Sequence, residues 1–395
     1  MKNRNCTLFG FALTVMLVGL ISSPAAAPAG KLVAWGHNEF GQTNVPPGDN
    51  FVGIAAGEYH ALALRSDGSL AGWGLNYGHQ DLESADIFYG QATVPAGNDF
   101  KAIAAGAFHS LALRTNGSLV GWGSNEILGN DPSPTGQAAV PAGNDFVAIG
   151  AAAGGFHSLA LKADGSLVAW GDNSYGQTDV PAGNDYVAIA AGDFHNVALK
   201  SDGSLVVWGE NNVGQVSNVP AGNDFVVITA GWGQSLALKS DGSMVGWGWN
   251  INGQATARPG TNFVAVAAGW RHSLALKSDG SMVGWGWNYG LDATASTFYG
   301  QAVPRAGTNF IAIAAGDRFS VAIQMQPPVL TIARVGNNVV LSWSTNDSGY
   351  TLEAKTDLSP SLNWSNVPGL PTIVGNQYTV TNSVASGNQF YRLKK

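Results

Sequence analysis

The dipeptide Trp-Gly, within an L-V-x-W-G-like strand, recurs at a regular spacing seven times, at Trp35, Trp73, Trp122, Trp170, Trp208, Trp247 and Trp285. Successive copies lie 38, 49, 48, 38, 39 and 38 residues apart, and local insertions account for the two long gaps. A fixed period of this size marks a chain built from small units, none of which can bury its apolar face alone. Each unit reads L-V-x-W-G, G-Q-x-x-V-P, F-V-A-I-A-A-G and H-S-L-A-L-K-S-D-G-S, room for four short strands. With 53 Gly and only 11% charged residues beside 45% apolar ones, the chain suits an all-β array and excludes disorder, a coiled coil or a helical solenoid.

The hairpins come from a turn that needs positive φ, supplied at Asp67-Gly68, Asn116-Gly117, Asp164-Gly165, Asp202-Gly203, Asp241-Gly242 and Asp279-Gly280. A seventh turn is absent. The last S-L-A-L-like strand, 320–324, has no following partner, and the first Trp-Gly strand, 31–36, has no preceding one. Pairing these two orphans hides both edges of the array and closes a ring, which predicts a seven-bladed β-propeller sealed by strands from both ends of the repeat array. The Ala- and Gly-rich strand, such as 187–192, is expected innermost. The G-Q-x-x-V-P segment, with Pro46, Pro95, Pro141, Pro181, Pro220 and Pro304, is expected as an outer edge strand, and the closing blade is expected to take two strands from each end.

The composite A-A-G-x-x-H-S-L-A-L-x-x-D-G-x-L-x-x-W-G, as over Ala191 to Gly209 and Ala268 to Gly286, resembles the regulator of chromosome condensation repeat, and the resemblance covers about residues 31 to 325. It implies a seven-bladed propeller. Within that family the units are similar to those of secreted bacterial members, including the propeller-type β-lactamase-inhibitory proteins. The family's eukaryotic founders exchange nucleotide on a small GTPase and touch nucleosomes, so guanine-nucleotide exchange is one function the resemblance brings with it. The formal charge of −7 argues against a nucleic-acid partner.

Residues 1–29 read as a signal peptide: Lys2 and Arg4, an apolar run from Leu8 to Ile21, then small residues from Ala25 to Ala29. Cleavage after Ala29 is favoured over Ala27, which would set Pro28 beside the scissile bond, and an uncleaved anchor is the alternative. The mature chain then loses Cys6, its only cysteine, and is secreted, periplasmic or cell-surface. Residues 30–326 form the propeller. Over 327–395 the period gives way to alternation, with Val339, Leu341 and Trp343 on one face and Tyr350, Leu352 and Ala354 on another, and further strands at 377–381 and 389–393. This predicts a small β-sandwich similar to immunoglobulin or fibronectin type III modules, serving attachment, adhesion or simply as a cap.

No nucleophile elbow, phosphate-binding glycine loop or H-E-x-x-H occurs, so no catalytic residue, cofactor or metal site is predicted. His60, His109, His157, His195 and His272 share one repeat position, where Gln234 and Phe319 stand in the remaining copies. This predicts a structural role, each ring bonding backbone at the turn after the inner strand, while His37 and His79 read as isolated loop residues. The Trp-Gly tryptophans read as core. Ten acids fall in turns, Asp67, Asp164, Asp202, Asp241 and Asp279 in hairpins and Asp49, Asp99, Asp145, Asp185 and Asp224 between blades.

Alternating strand direction puts the A-A-G-x-x-H turn and the Trp-Gly to Gly-Gln loop on one face. That face carries Tyr59, Phe108, Phe156, Phe194, Trp232 and Trp270 in the turns. The loops add Trp249, Trp287, Tyr89 and Tyr299, along with Tyr77, Phe88, Tyr289 and Phe298. From Trp to the following Gln is seven residues at Trp35, Trp170, Trp208 and Trp247, but 18, 15 and 16 at Trp73, Trp122 and Trp285. In the inhibitory propellers that this chain resembles, the turn positions supply much of the binding surface. The expected function is an exported, monomeric, non-catalytic scaffold that binds an extracytoplasmic protein, with enzyme inhibition as its finer form and glycan binding or adhesion as the alternative. Solvent-facing aromatics would favour a protein partner, a groove spaced like sugar rings a glycan, and carboxylates or histidines clustered in a pocket an enzyme.

Overall fold

The computed structural model describes residues 28–77, 88–125, 135–289, 297–326, 328–344, 350–359, 363–375, 377–383 and 389–394. The predicted signal segment lies outside them save for its last two residues, as do His79 and the tips of the three long loops. The chain divides into two compact units, one ending at Met325 and one beginning at Gln326. Among the described residues no helix is long and apolar enough to cross a membrane.

Among the described residues the first unit has seven three-stranded antiparallel sheets, each with the order inner, middle, outer. Blade 1 is Phe51–Ala56, His60–Arg65 and Leu70–Gly74, and blades 2 to 6 repeat it from Phe100, Phe146, Tyr186, Phe225 and Phe263. Blade 7 takes Phe310–Ala315 and Phe319–Gln324 from the far end of the array and Lys31–Gly36 from its start, in register from Lys31 opposite Gln324 to Gly36 opposite Phe319. The inner strand of each blade packs on that of the next, and the seventh packs on the first. The ring is closed.

The apolar cores lie between blades. Leu62, Leu64 and Leu70 of blade 1, for example, pack on Phe100, Ile103 and Ala112 of blade 2, and Phe319, Val321 and Ile323 of blade 7 pack on Phe51, Ile54 and Ala61 of blade 1. Each middle strand is therefore buried on both faces, which is why its pattern is continuously apolar instead of alternating. The hairpin glycines adopt the expected positive φ, from 79° at Gly242 and Gly280 to 86° at Gly117.

Two expectations about the blades need correction. The G-Q-x-x-V-P segment is a chain of turns, so the blades have three strands, and the closing blade draws one strand from the N-terminal side and two from the C-terminal side. The reason lies in the side chains. Asn250 Oδ1 accepts the Ala255 N–H and Gln254 Oε1 accepts the Asn252 N–H, with equivalent bonds in other blades, so this backbone is satisfied locally and needs no ladder.

The second unit has a four-stranded sheet containing Asn338–Ser344 and Gln377–Ser383, and a three-stranded sheet containing Thr351–Lys355 and Phe390–Lys394. Buried Leu341, Trp343 and Leu352 form its small core, with Tyr378, Val380, Tyr391 and Leu393 packed around them.

Candidate functional site

Two side-chain relays fasten the blades together on the face that carries the A-A-G-x-x-H turns, the first at all seven junctions and the second at five. The indole Nε1 of every Trp-Gly tryptophan donates to the backbone carbonyl of the Gly-Gln glutamine of the preceding blade, as Trp73 does to Gln42 at 2.9 Å and Trp35 to Gln301 at 3.0 Å. These tryptophans are buried or nearly so, in keeping with a core role. The second relay uses the repeated histidine. His60 Nε2 meets Ser110 Oγ at 2.9 Å, His109 meets Ser158, His157 meets Asn196, His195 meets Ser235 and His272 meets Ser320, each in the following blade. The Ser110 hydroxyl in turn donates to the Gln91 carbonyl, which fixes His60 Nε2 as the donor toward Ser110.

The histidines are thus structural, but they bond the next blade's side chain and not the turn backbone that was expected. Burial pushes His60, His109, His195 and His272 down to about 3. His37 is not isolated either. It is buried, hydrogen-bonds Gln42 through Nδ1 at 2.8 Å, and lies 4.5 Å from the Tyr299 ring.

At the mouth of the ring the backbones of neighbouring blades nearly touch. A methyl group on the glycine that ends the A-A-G run would lie 2.3 Å from the Gly269 carbonyl oxygen at Gly231, 2.3 Å from that of Gly316 at Gly269, and 2.7 Å from that of Gly57 at Gly316. Only glycine permits this approach. It brings the residues that follow the glycine close to the ring axis, where they line a pit of about 320 Å³. A narrower channel of about 140 Å³, walled by Ile and Ala side chains of the inner strands, forms a separate cavity along the axis.

All six predicted turn aromatics, Tyr59, Phe108, Phe156, Phe194, Trp232 and Trp270, line the pit. They do not project freely into solvent: Phe108 is 3% exposed and the others are half-buried. Trp249 meets Trp232 edge-on at 4.7 Å, Trp287 meets Tyr289 at 5.5 Å, and Tyr89 approaches Phe108 at 6.2 Å. Farther out, Tyr77, Phe88, Tyr175, Ile251, Tyr289 and Phe298 are exposed. The necks of two long loops are held by bridges between Tyr77 and Phe88 and between Tyr289 and Phe298.

Sequence reasoning missed the charged members of the pit, Glu58, Asp193, Asp317 and Arg318. The signal was available, since the three acids occupy one repeat position, directly after the mouth glycine in blades 1, 4 and 7. Burial, joined by the charge of Asp317, pushes Glu58 up to about 8. Burial likewise lifts Asp193 to about 7 and Asp317 to about 6, the latter against the pull of Arg318 and Arg271. Arg318 Nε lies 3.1 Å from Asp317 Oδ2. The Arg271 guanidinium stacks 3.9 Å over Trp270 and 4.9 Å over Trp249. Among the described residues no three His, Cys, Asp or Glu side chains are placed to hold a metal ion.

Six segments, 51–80, 100–126, 149–177, 186–215, 225–254 and 263–290, match the regulator of chromosome condensation (RCC1) repeat. The seventh blade, split between the two ends of the array, is not among them. No curated protein matches the chain in sequence. Among solved structures, Prp20p from Saccharomyces cerevisiae, described with its binding properties to Gsp1p and histones, is 20% identical with a TM-score of 0.59, covering 77% of this chain and 93% of its own. Yeast RCC1 (Prp20) bound by Kap60 gives 19%, 0.60, 82% and 96%, and human WBSCR16 gives 17%, 0.57, 75% and 98%. At these identities the likeness is one of fold. The matched repeats, the inter-blade relays they share with the split seventh blade, and this architecture make the chain a propeller of the RCC1-repeat family.

Proposed function

We propose that the turn face of the propeller is a docking surface for a protein partner, and that the chain is an exported, non-catalytic binding scaffold whose partner is an extracytoplasmic protein, in the finer form an enzyme that it inhibits. The carrying observation is the convergence of six aromatic turn residues on one pit, ringed by the exposed Tyr77, Phe88, Tyr175, Ile251, Tyr289 and Phe298. Rigid aromatic side chains give large contact area at small entropic cost, and the apolar outer ring is the kind of surface a partner covers. Protein binding is also what is described for Prp20p and for the Kap60 complex of yeast RCC1, which supports a scaffold reading without identifying a partner here.

One observation favours a second reading. Three carboxylates with raised pKa in a pocket are what acid–base catalysis uses. The stacked arginine and the aromatic walls weigh toward recognition, because among the described residues no serine, threonine, cysteine, lysine or histidine lines the pit beside the acids. Capture from an extracytoplasmic extract tests the proposal. Wild type should retain a specific partner that the Trp232→Ala, Trp270→Ala double variant loses. Identical recovery by both would overturn the assignment of this face.

A further inference from the structure

The pit has walls of one chemistry and a charge imbalance of another. Tyr59, Phe156, Phe194, Trp232 and Trp270 supply aromatic wall, while Glu58, Asp193 and Asp317 supply three carboxyls against the single guanidinium of Arg318. That guanidinium already lies beside Asp317 and 5.2 Å over the Trp270 ring. Arg271, the nearest other cation, is occupied by the faces of Trp270, Trp249 and Trp232. Asp193 is only 5% exposed; its Oδ1 accepts the Gly154 N–H at 3.0 Å. Among the described residues Asp193 Oδ2 has no hydrogen-bond or ion-pair partner, and no basic group pairs with Glu58. Asp193 Oδ2 is thus unpaired by protein on a side chain that is otherwise buried, and as a member of the pit lining it is open to whatever enters there.

Building on the docking reading above, we propose that this pit is a receptor for one cationic side chain, lysine or arginine, projected by the protein partner. An ammonium or guanidinium placed there meets the negative faces of the aromatic rings and the carboxyls of Asp193 and Glu58, neither of which has an ion-pair partner although the Tyr59 hydroxyl hydrogen-bonds Glu58, the combination that selects cations over neutral groups of equal size. An anionic side chain would have to displace Arg318 from Asp317 or Arg271 from its tryptophans before finding a free donor. The volume, near the lower end of the range of about 300 to 1,000 Å³ for small-molecule sites, admits a single side chain. The position explains itself too. The pit lies on the ring axis at the centre of the proposed docking face, where a desolvated anchor contributes most to specificity.

The test uses the full mature chain, with N-acetyl-lysine N-methylamide, its arginine counterpart and the neutral N-acetyl-norleucine N-methylamide as probes, titrated by NMR at pH 9, above the raised values of Glu58 and Asp193 and below that of a lysine ammonium. The ionised carboxylates should give at least one cationic probe a dissociation constant tenfold or more below that of the norleucine probe. Asp193→Asn and Glu58→Gln, each near-isosteric, should separately reduce that preference at least fivefold, with circular dichroism melting to show that both variants fold. Equal binding of cationic and neutral probes, or a preference that survives both substitutions, would overturn the proposal. If the preference is absent yet the double tryptophan variant still loses its partner, the docking face stands and only the cation pit fails. A preference present while partner capture is unaffected by the tryptophans would remove the docking reading and, with it, the partner-borne origin of the cation.

Discussion

The buried histidine relay makes a quantitative statement about acid stability. His109 is completely buried and stays neutral down to about pH 3, whereas in the unfolded chain it titrates near its ordinary 6.5. A base with a depressed folded pKa contributes nothing differential above 6.5. Below that point the unfolded state gains a proton that the folded state refuses, so stability falls from pH 6.5 toward 3. At pH 5 this amounts to about 2 kcal/mol for one histidine, and about 8 kcal/mol for His60, His109, His195 and His272 together, against about 5–15 kcal/mol for a whole domain.

The three pit carboxyls act in the opposite sense, gaining stability as they protonate, so the raw pH profile of the protein is a composite. A variant isolates the histidine. Gln234 occupies the same repeat position in blade 5, where its Nε2 donates to the Gly269 carbonyl at 2.7 Å, so His109→Gln is an exchange this fold already accommodates. Urea unfolding followed by tryptophan fluorescence, to which the propeller unit contributes eleven of the thirteen tryptophans, reads the difference directly. Whatever its value at pH 7.5, where the bond to Ser158 decides the sign, the difference should move by about 2 kcal/mol in favour of the variant at pH 5. A difference that stays constant between these two pH values would refute the assignment of a neutral, buried imidazole.

Two further outcomes follow from the same geometry. Phe319→His should cost about 1–3 kcal/mol by placing an imidazole against Ala61 with no acceptor, and adding Ala61→Ser should recover about 1 kcal/mol as coupling in a double-mutant cycle of denaturant midpoints. Asp193→Asn should stabilise the protein at pH 8 by up to about 4 kcal/mol, since a carboxyl lifted to about 7 is ionised there at the expense of folding, and thermal melts should show most of this gain disappearing by pH 5.

The ring itself was legible in the sequence because its information is periodic. The Asp-Gly turns, the Ala-rich inner strands and the two unpaired end strands each state one local requirement, and only closure meets all of them. Closure is written a second time in residues that lie far apart in the chain. Wherever a blade carries histidine, the next carries Ser110, Ser158, Asn196, Ser235 or Ser320 to receive it. The one blade with Phe319 instead is followed, across the seam, by the blade in which that serine is Ala61. A donor and its acceptor are lost together only if blades 7 and 1 are neighbours. The fourth strand was misjudged because the proline and the alternation in G-Q-x-x-V-P are compatible with an edge strand. What decides against it is the set of Asn and Gln side chains that satisfy the local backbone, a competition that strand patterning does not register.

The pit was missed for a reason of scale. Equivalent positions around a ring are far apart at its circumference, which holds for the outer loops and fails beside the axis. Gly231, Gly269 and Gly316 show how far it fails there: the separation between blades at the mouth is set by backbone touching backbone, so the residues next in sequence are brought together whatever their identity. Seven side chains forced toward one point cannot all be large, or all of one charge. The sequence meets this constraint with Trp in two adjacent blades, Ala107 and Gly155 in two others, and Glu58, Asp193 and Asp317 in the remaining three. A ring that needed only stability would place small apolar residues at every one of these sites and incur no desolvation of carboxylates. Retaining three acids there, one of them adjoining an arginine and two without an ion-pair partner, is a cost that stability of the ring does not require, and the proposed cationic side chain in the mouth would offset it.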